Sequence, residues 1–173
     1  MGEIKSTLDL VMERTQNMSL SDEEKARQQR DEYEKRLQGL LQKYADGGYG
    51  LDRLQAEIGR LQQSMRFNDQ TALRNAVRRR IEPDGNPGRW LDLMARLAPE
   101  ISRSLADILK TYRTRRDECI ETAERRLRRR LTQAHGIAGS AVSPNPRKDR
   151  RCRDDLSALR REAEDRLTAA VCE

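Results

Sequence analysis

Aromatic side chains make up 3% of the 173 residues, and that scarcity argues against a thick globular core, because aromatic rings supply much of the buried area of such cores. Histidine is scarcer still. His135 stands alone, which leaves no H-E-x-x-H zinc motif and no Glu-x-x-His pairs for a di-metal carboxylate bundle. Its place at an expected helix end suits an imidazolium satisfying terminal carbonyls. The three cysteines, Cys119, Cys152 and Cys172, have neither C-x-x-C spacing nor a disulfide-framework pattern, so a reducing cytoplasm is the expected setting. No run approaches the ~20 apolar residues that cross a bilayer, and no apolar signal core opens the chain, which disfavours membrane spanning and secretion. A Gly-rich phosphate loop with its Lys and Ser/Thr is also missing. Ser140 follows Gly139, but the second glycine of a nucleophile elbow is absent and no strand pattern precedes it. The sequence therefore nominates no catalytic, cofactor-binding or metal-ligating residue, no small-molecule substrate, and no enzyme.

What is present points to helix. Ala, Glu, Lys, Leu and Arg supply about half of the chain, the composition of long helices and coiled coils. The 35 basic and 29 acidic residues leave a net charge of +6, so most charges can pair at i, i+4 spacing along helix faces. The excess is not spread evenly, since residues 1–70 are slightly acidic and the remainder carries the whole positive surplus. Any polyanionic partner is expected to meet the C-terminal part. Arginine outnumbers lysine roughly five to one, which fits either phosphate recognition by guanidinium forks or the codon usage of a GC-rich genome.

Hydrophobic spacing divides the chain into segments. Ile4, Leu8, Val11 and Met18 lie on one stripe of an amphipathic helix over 1–18, expected to dock in a protein groove. Ser21 and Glu24 form a capping-box pattern that starts a second helix near Asp22. Its stripe reads Ala26, Tyr33, Leu37, Leu40 and Tyr44, and Gly47-Gly48 ends it. Leu54, Ile58, Leu61 and Met65 then form the cleanest 3-4 alternation, so that 22–66 reads as an antiparallel hairpin. With a shorter continuation through Leu73, Ala76, Val77 and Ile81, this second segment spans 22–82. Pro83-Asp84-Gly85-Asn86-Pro87-Gly88 breaks any helix and is the best internal boundary, a linker over 83–88. A rod comes next, over 89–135. Trp90, Met94 and Leu97 open it, Pro99 suits the first turn of a restarted helix, and one face continues from Leu105 to Ala134. Arg116 interrupts that face between Tyr112 and Ile120. A small-residue Gly/Pro loop spans 136–147, and a final helix, 148–173, carries Leu156, Leu159, Ala163, Leu167 and Ala170 and is expected to fold back on the rod. The fold class is all-α, helical hairpins plus one long helix with coiled-coil-like packing.

The opening Met1-Gly2-Glu3-Ile4-Lys5-Ser6 and the later Gly136-Ile137-Ala138-Gly139-Ser140-Ala141-Val142 resemble an uncharacterised family of bacterial helical proteins. The resemblance covers the first 25 residues and that loop. It implies a bacterial cytoplasmic protein and brings no activity, ligand or site residue with it.

Clustered arginines are the strongest remaining signal. Arg125, Arg126, Arg128, Arg129 and Arg130 lie on the rod, with Arg147, Lys148, Arg150 and Arg151 beyond the loop. Such clusters can bind polyanions. They can equally be solvated faces neutralised by Asp117, Glu118, Glu121 and Glu124. No aromatic residue accompanies them for base stacking. Two functions are expected on this basis. The first is a non-enzymatic scaffold that self-associates or docks on a protein partner through heptad seams. The alternative is a nucleic-acid- or ribosome-associated factor that contacts phosphates through the arginine clusters.

Overall fold

The structure is a computed structural model that describes residues 21–139 and 141–172. Among these residues it holds six α-helices, one short 3-10 turn and no strand, an all-α fold. Contacts divide the chain into two compact units, Met1–Asp69 and Gln70–Glu173. The amino-terminal stripe of Ile4, Leu8, Val11 and Met18 lies outside the described residues.

In the first unit, helix α1 (Asp22–Ala45) opens on the expected capping box. The Glu24 amide donates to Ser21 Oγ at 3.1 Å and the Ser21 amide to Glu24 Oε2 at 2.8 Å. The helix closes on Gly47, whose φ of +81° is the left-handed conformation that glycine reaches without steric cost. The amides of Gly47 and Gly48 turn back to the carbonyls of Tyr44 and Lys43, which satisfies the last orphan acceptors. Helix α2 (Leu51–Met65) then returns antiparallel to α1. Gln29 near the start of α1 donates to the Met65 carbonyl at the end of α2 (2.7 Å), and the Tyr33 ring meets Phe67 at 5.1 Å. The buried stripe of α1 is Tyr33, Leu37, Leu41 and Tyr44, against Leu54, Ile58 and Leu61 of α2. Leu41 takes the place expected for Leu40, which is half-buried, and Ala26 is exposed. Leu41 follows Leu37 by a four-residue step along the face that meets α2, and Ala26 lies beyond the end of α2, which is level with Gln29.

In the second unit, helix α3 (Gln70–Arg78) buries Leu73, Ala76 and Val77. The stretch 70–82, grouped with the hairpin on sequence, packs instead with the helices C-terminal to it. The unit boundary therefore falls at Asp69, not at the Pro/Gly breaker 83–88. That breaker is a tight turn inside the unit, leading into α4 (Gly88–Leu97). The rod is two helices. The chain leaves α4 at Ala98 with φ of −155°, and α5 (Pro99–His135) restarts with proline in its first turn, where its missing amide costs nothing. At 37 residues, α5 runs about 55 Å, and Gly136 closes it at φ +65°. A 3-10 turn (Pro146–Lys148) and α6 (Arg150–Cys172) complete the unit. Helix α6 lies antiparallel along α5, as Arg115–Glu162 (2.6 Å) and Arg126–Asp149 (2.5 Å) require. The core takes Leu93 and Met94 from α4, Leu105, Ile108, Leu109 and Tyr112 from α5, and Cys152, Ala163, Leu167 and Val171 from α6.

Candidate functional site

Helix α5 carries its apolar stripe on one side, and beyond Tyr112 only Ala123 of that stripe is fully buried. Leu127 and Leu131 are half-buried, and arginine fills most of the remaining arc. The 3-10 turn packs on both α5 and α6, which brings Arg147 and Lys148 and the first turn of α6, with Arg150 and Arg151, to the same end of the helix pair as Arg125–Arg130. A shallow groove of about 500 Å³ runs there between Thr122, Arg125, Arg126, Arg129, Arg130 and Gln133.

The arginines of this face divide into engaged and unengaged. Arg126 is engaged most firmly, because its partner Asp149 is only 15% exposed and also caps α6, accepting the Cys152 amide at 2.9 Å. That amide, and then Arg126, hold the Asp149 carboxyl below the usual carboxylate range. Arg128 pairs with Glu124 at 3.0 Å, Arg150 with Asp154 at 3.9 Å, and Arg125 reaches the Thr122 hydroxyl at 3.3 Å. Arg129, Arg130, Arg147, Lys148 and Arg151 make no side-chain hydrogen bond or ion pair among the described residues. Of the acids expected to neutralise the face, Asp117 turns instead to Arg116 (2.9 Å). The arginine face is therefore only partly self-compensated.

The run Arg78-Arg79-Arg80 does not join this face. Arg78 donates to the Glu164 carbonyl at 2.7 Å and to the Thr168 hydroxyl, tying α3 to α6. Arg80 lies 5.6 Å over the Trp90 ring.

A second cluster has no counterpart in the periodic pattern. Between α5 and α6 a cleft of about 680 Å³ is lined by Asp84, Tyr112, Arg116, Ile120, Arg147, Arg153, Leu156, Ser157 and Arg160. Asp84, from the Pro/Gly turn, is its centre. Its Oδ1 accepts from the Tyr112 hydroxyl at 2.8 Å and from Arg116 at 3.4 Å, and its Oδ2 lies 3.7 Å from Arg160. Burial, and after it the hydrogen bond to Asp84, push the Tyr112 phenol up to about 12, so it remains a neutral donor at neutral pH. Arg116 interrupts the apolar stripe of α5 as a bridge to Asp84 and Asp117, with 29% of its side chain exposed. Tyr112 reads as core by spacing, and a turn aspartate 28 residues earlier carries no signal that links the two.

Other chemistry is sparse. Cys119 and Cys152 are free thiols, and burial, together with the neighbouring Cys119, raises the Cys152 thiol, which makes it a poor nucleophile. Among the described residues no group of three or more His, Cys, Asp or Glu is placed to hold a metal ion, and no helix is long and apolar enough to cross a membrane. Ser140 lies outside the described residues. Comparison of the chain with protein-family models, with curated proteins and with solved structures returned no match.

Proposed function

We propose that this chain is a non-enzymatic helical protein that contacts a nucleic-acid backbone through the arginine face at the end of α5 and the start of α6. One observation carries the reading: Arg129, Arg130, Lys148 and Arg151 gather at one end of a helix pair with no acid at ion-pair distance from them among the described residues, while Arg147 turns to the cleft beside Asp84. Unengaged guanidinium groups on a helix scaffold suit phosphate contact, which positions a polymer without reading its sequence. No aromatic ring lies in the groove beside them, so single-strand stacking has no part in the proposal. A reducing, cytoplasmic setting belongs to the same reading, supported by cysteine spacing that fits neither a C-x-x-C motif nor a disulfide framework.

Self-association or docking through heptad seams draws less support. The apolar stripes of α1, α2 and the first half of α5 are covered within their own units, and Ile137 is the one large apolar side chain left exposed among the described residues.

Fluorescence anisotropy of a labelled DNA duplex, titrated across a salt series, tests the nucleic-acid reading. The expected result is binding with little sequence preference, log K falling with log salt by about 0.9 per phosphate neutralised. Arg125→Gln, Arg129→Gln and Arg130→Gln together should flatten that slope by two to three contacts' worth, on the order of 2 in log K per log salt. Absence of binding near ~50 mM salt, where backbone contacts are strongest, discards the reading.

A further inference from the structure

We infer that the cleft around Asp84 is a binding site for a small oligophosphate anion, a diphosphate or longer, distinct from the distal arginine face. Asp84 stands at the centre of this cleft. Its carboxylate sits among the Tyr112 hydroxyl, Arg116 and Arg160, so the cleft already solvates an anion that belongs to the chain itself. Arg116 and Arg160 each have a second acid, Asp117 at 2.9 Å and Glu164 at 2.8 Å, and are satisfied without a ligand. Arg147 and Arg153 line the same cleft and have no side-chain partner among the described residues. Two guanidinium groups that line one concavity bring like charge to it, and a ligand that reaches both neutralises that charge.

The charge balance selects the ligand. A monoanion entering the cleft meets Asp84 and gains little. An oligophosphate brings several charges on adjacent phosphoryl groups, enough to occupy Arg147 and Arg153 and to compete with Asp84 for Arg116 and Arg160. Guanidinium forks match phosphoryl oxygens bidentately. At about 680 Å³ the cleft lies within the range of small-molecule sites and is roomier than a single phosphate needs. Its wall also differs from the distal groove in kind, because it draws on three elements and the 83–88 turn, whereas the distal groove is formed along α5 alone.

Isothermal titration with inorganic tripolyphosphate at neutral pH and low salt provides the test. The intact chain is expected to bind one equivalent saturably. Arg147→Gln with Arg153→Gln, both outside the core, should weaken binding about tenfold or more, since each removes a charge-assisted contact. Asp84→Asn removes the competing carboxylate and should tighten it. Arg125→Gln with Arg129→Gln and Arg130→Gln should leave it unchanged, and those three changes report on nucleic-acid contact alone, so the two readings fail separately. No saturable binding, equal loss from both arginine sets, an unaffected Arg147→Gln/Arg153→Gln protein, or weaker binding by Asp84→Asn would overturn the proposal, provided circular dichroism shows each variant folded.

Discussion

Helix α5 is one continuous helix with two different halves. From Pro99 to Tyr112 it buries Ser102, Leu105, Ile108, Leu109 and Tyr112 against α4 and α6, and Ser102 even donates to the Leu91 carbonyl at 3.0 Å. From Arg113 to His135 only Ala123 is buried. Helix propensity is as good in the second half as in the first, since arginine and leucine are both strong helix formers. What changes is the source of stability. The first half is held by apolar area, the second by the capped start of α6, the Arg126–Asp149 and Arg128–Glu124 pairs and the Gly136 cap. A half that does not need its surface for packing has that surface free for a ligand, and both candidate sites draw on it.

The largest expected effect tests that difference directly. Leu105, fully buried, should cost about 2–5 kcal/mol on truncation to alanine, as lost transfer energy plus an unfilled cavity. Leu127 is half-buried, and Leu127→Ala should cost under about 2 kcal/mol. Urea denaturation followed at the helical band compares them. Equal costs would mean that the distal half is packed as tightly as the proximal one.

Next in size is the polar tie that holds the distal half to α6. Asp149→Ala removes both the cap on the Cys152 amide and the partner of Arg126, and should lower the thermal midpoint by several degrees. Asp149→Asn keeps a capping oxygen and removes only the charge. Because the folded carboxyl is held below its ordinary value, its stabilisation is present above the ordinary carboxylate range and lost as pH falls through the folded value. The gap between wild type and Asp149→Asn should therefore be open at neutral pH, begin to narrow in the ordinary carboxylate range and close only as pH falls through the depressed folded value. A gap that ignores pH would assign the tie to hydrogen-bond geometry alone.

Where the two halves meet, Tyr112→Phe removes one hydrogen bond to Asp84 and leaves the buried ring in place. Asp84 remains partly in water and keeps Arg116 and Arg160. Chemical denaturation should register a loss of about 1 kcal/mol. A loss as large as that of Leu105→Ala would make the Asp84 cluster part of the core instead of a lining of the cleft.

This junction also marks how far the sequence is legible. Local rules reach the capping box at Ser21, the stop at Gly47, the restart at Pro99 and the stop at Gly136, because each depends on a few neighbouring residues. Helical phase is legible to within one residue. Leu40 and Leu41 are adjacent leucines, and only the position of α2 decides that Leu41 is the buried one. The arginine clusters are visible as composition. Their sorting into engaged and unengaged is not, since Arg126 is claimed by Asp149, 23 positions later, and Arg116 by Asp84, 32 positions earlier. The cleft lies beyond reach for the same reason: it joins a turn, two helix faces and a 3-10 turn whose closeness is a product of packing. The 70–82 stretch shows the converse error. Continuity along the chain suggests the hairpin, while Leu73 and Val77 are buried in the second unit.

The smallest expected effect on stability separates fold from function most cleanly. Arg129 and Arg130 are exposed, with no hydrogen bond or ion pair among the described residues, and Arg125 has only the Thr122 hydroxyl. Glutamine is nearly as good a helix former, so no backbone term changes. Exposed substitutions of this kind usually fall within about 0.5 kcal/mol each. Removing three like charges also relieves repulsion along the helix, which offsets part of any lost pairing. The combined Arg125→Gln, Arg129→Gln and Arg130→Gln protein should therefore unfold within a degree or two of wild type, about the size of a ΔΔG below 0.5 kcal/mol in a domain of this length. Arg126→Gln added to the three serves as the internal contrast, because it breaks the tie to Asp149 and should bring back the midpoint loss of Asp149→Asn. Differential scanning calorimetry at one ionic strength reads both. If the triple variant alone lost several degrees, these arginines would be part of what holds the distal half together, and a flattened salt slope could no longer be assigned to phosphate contact.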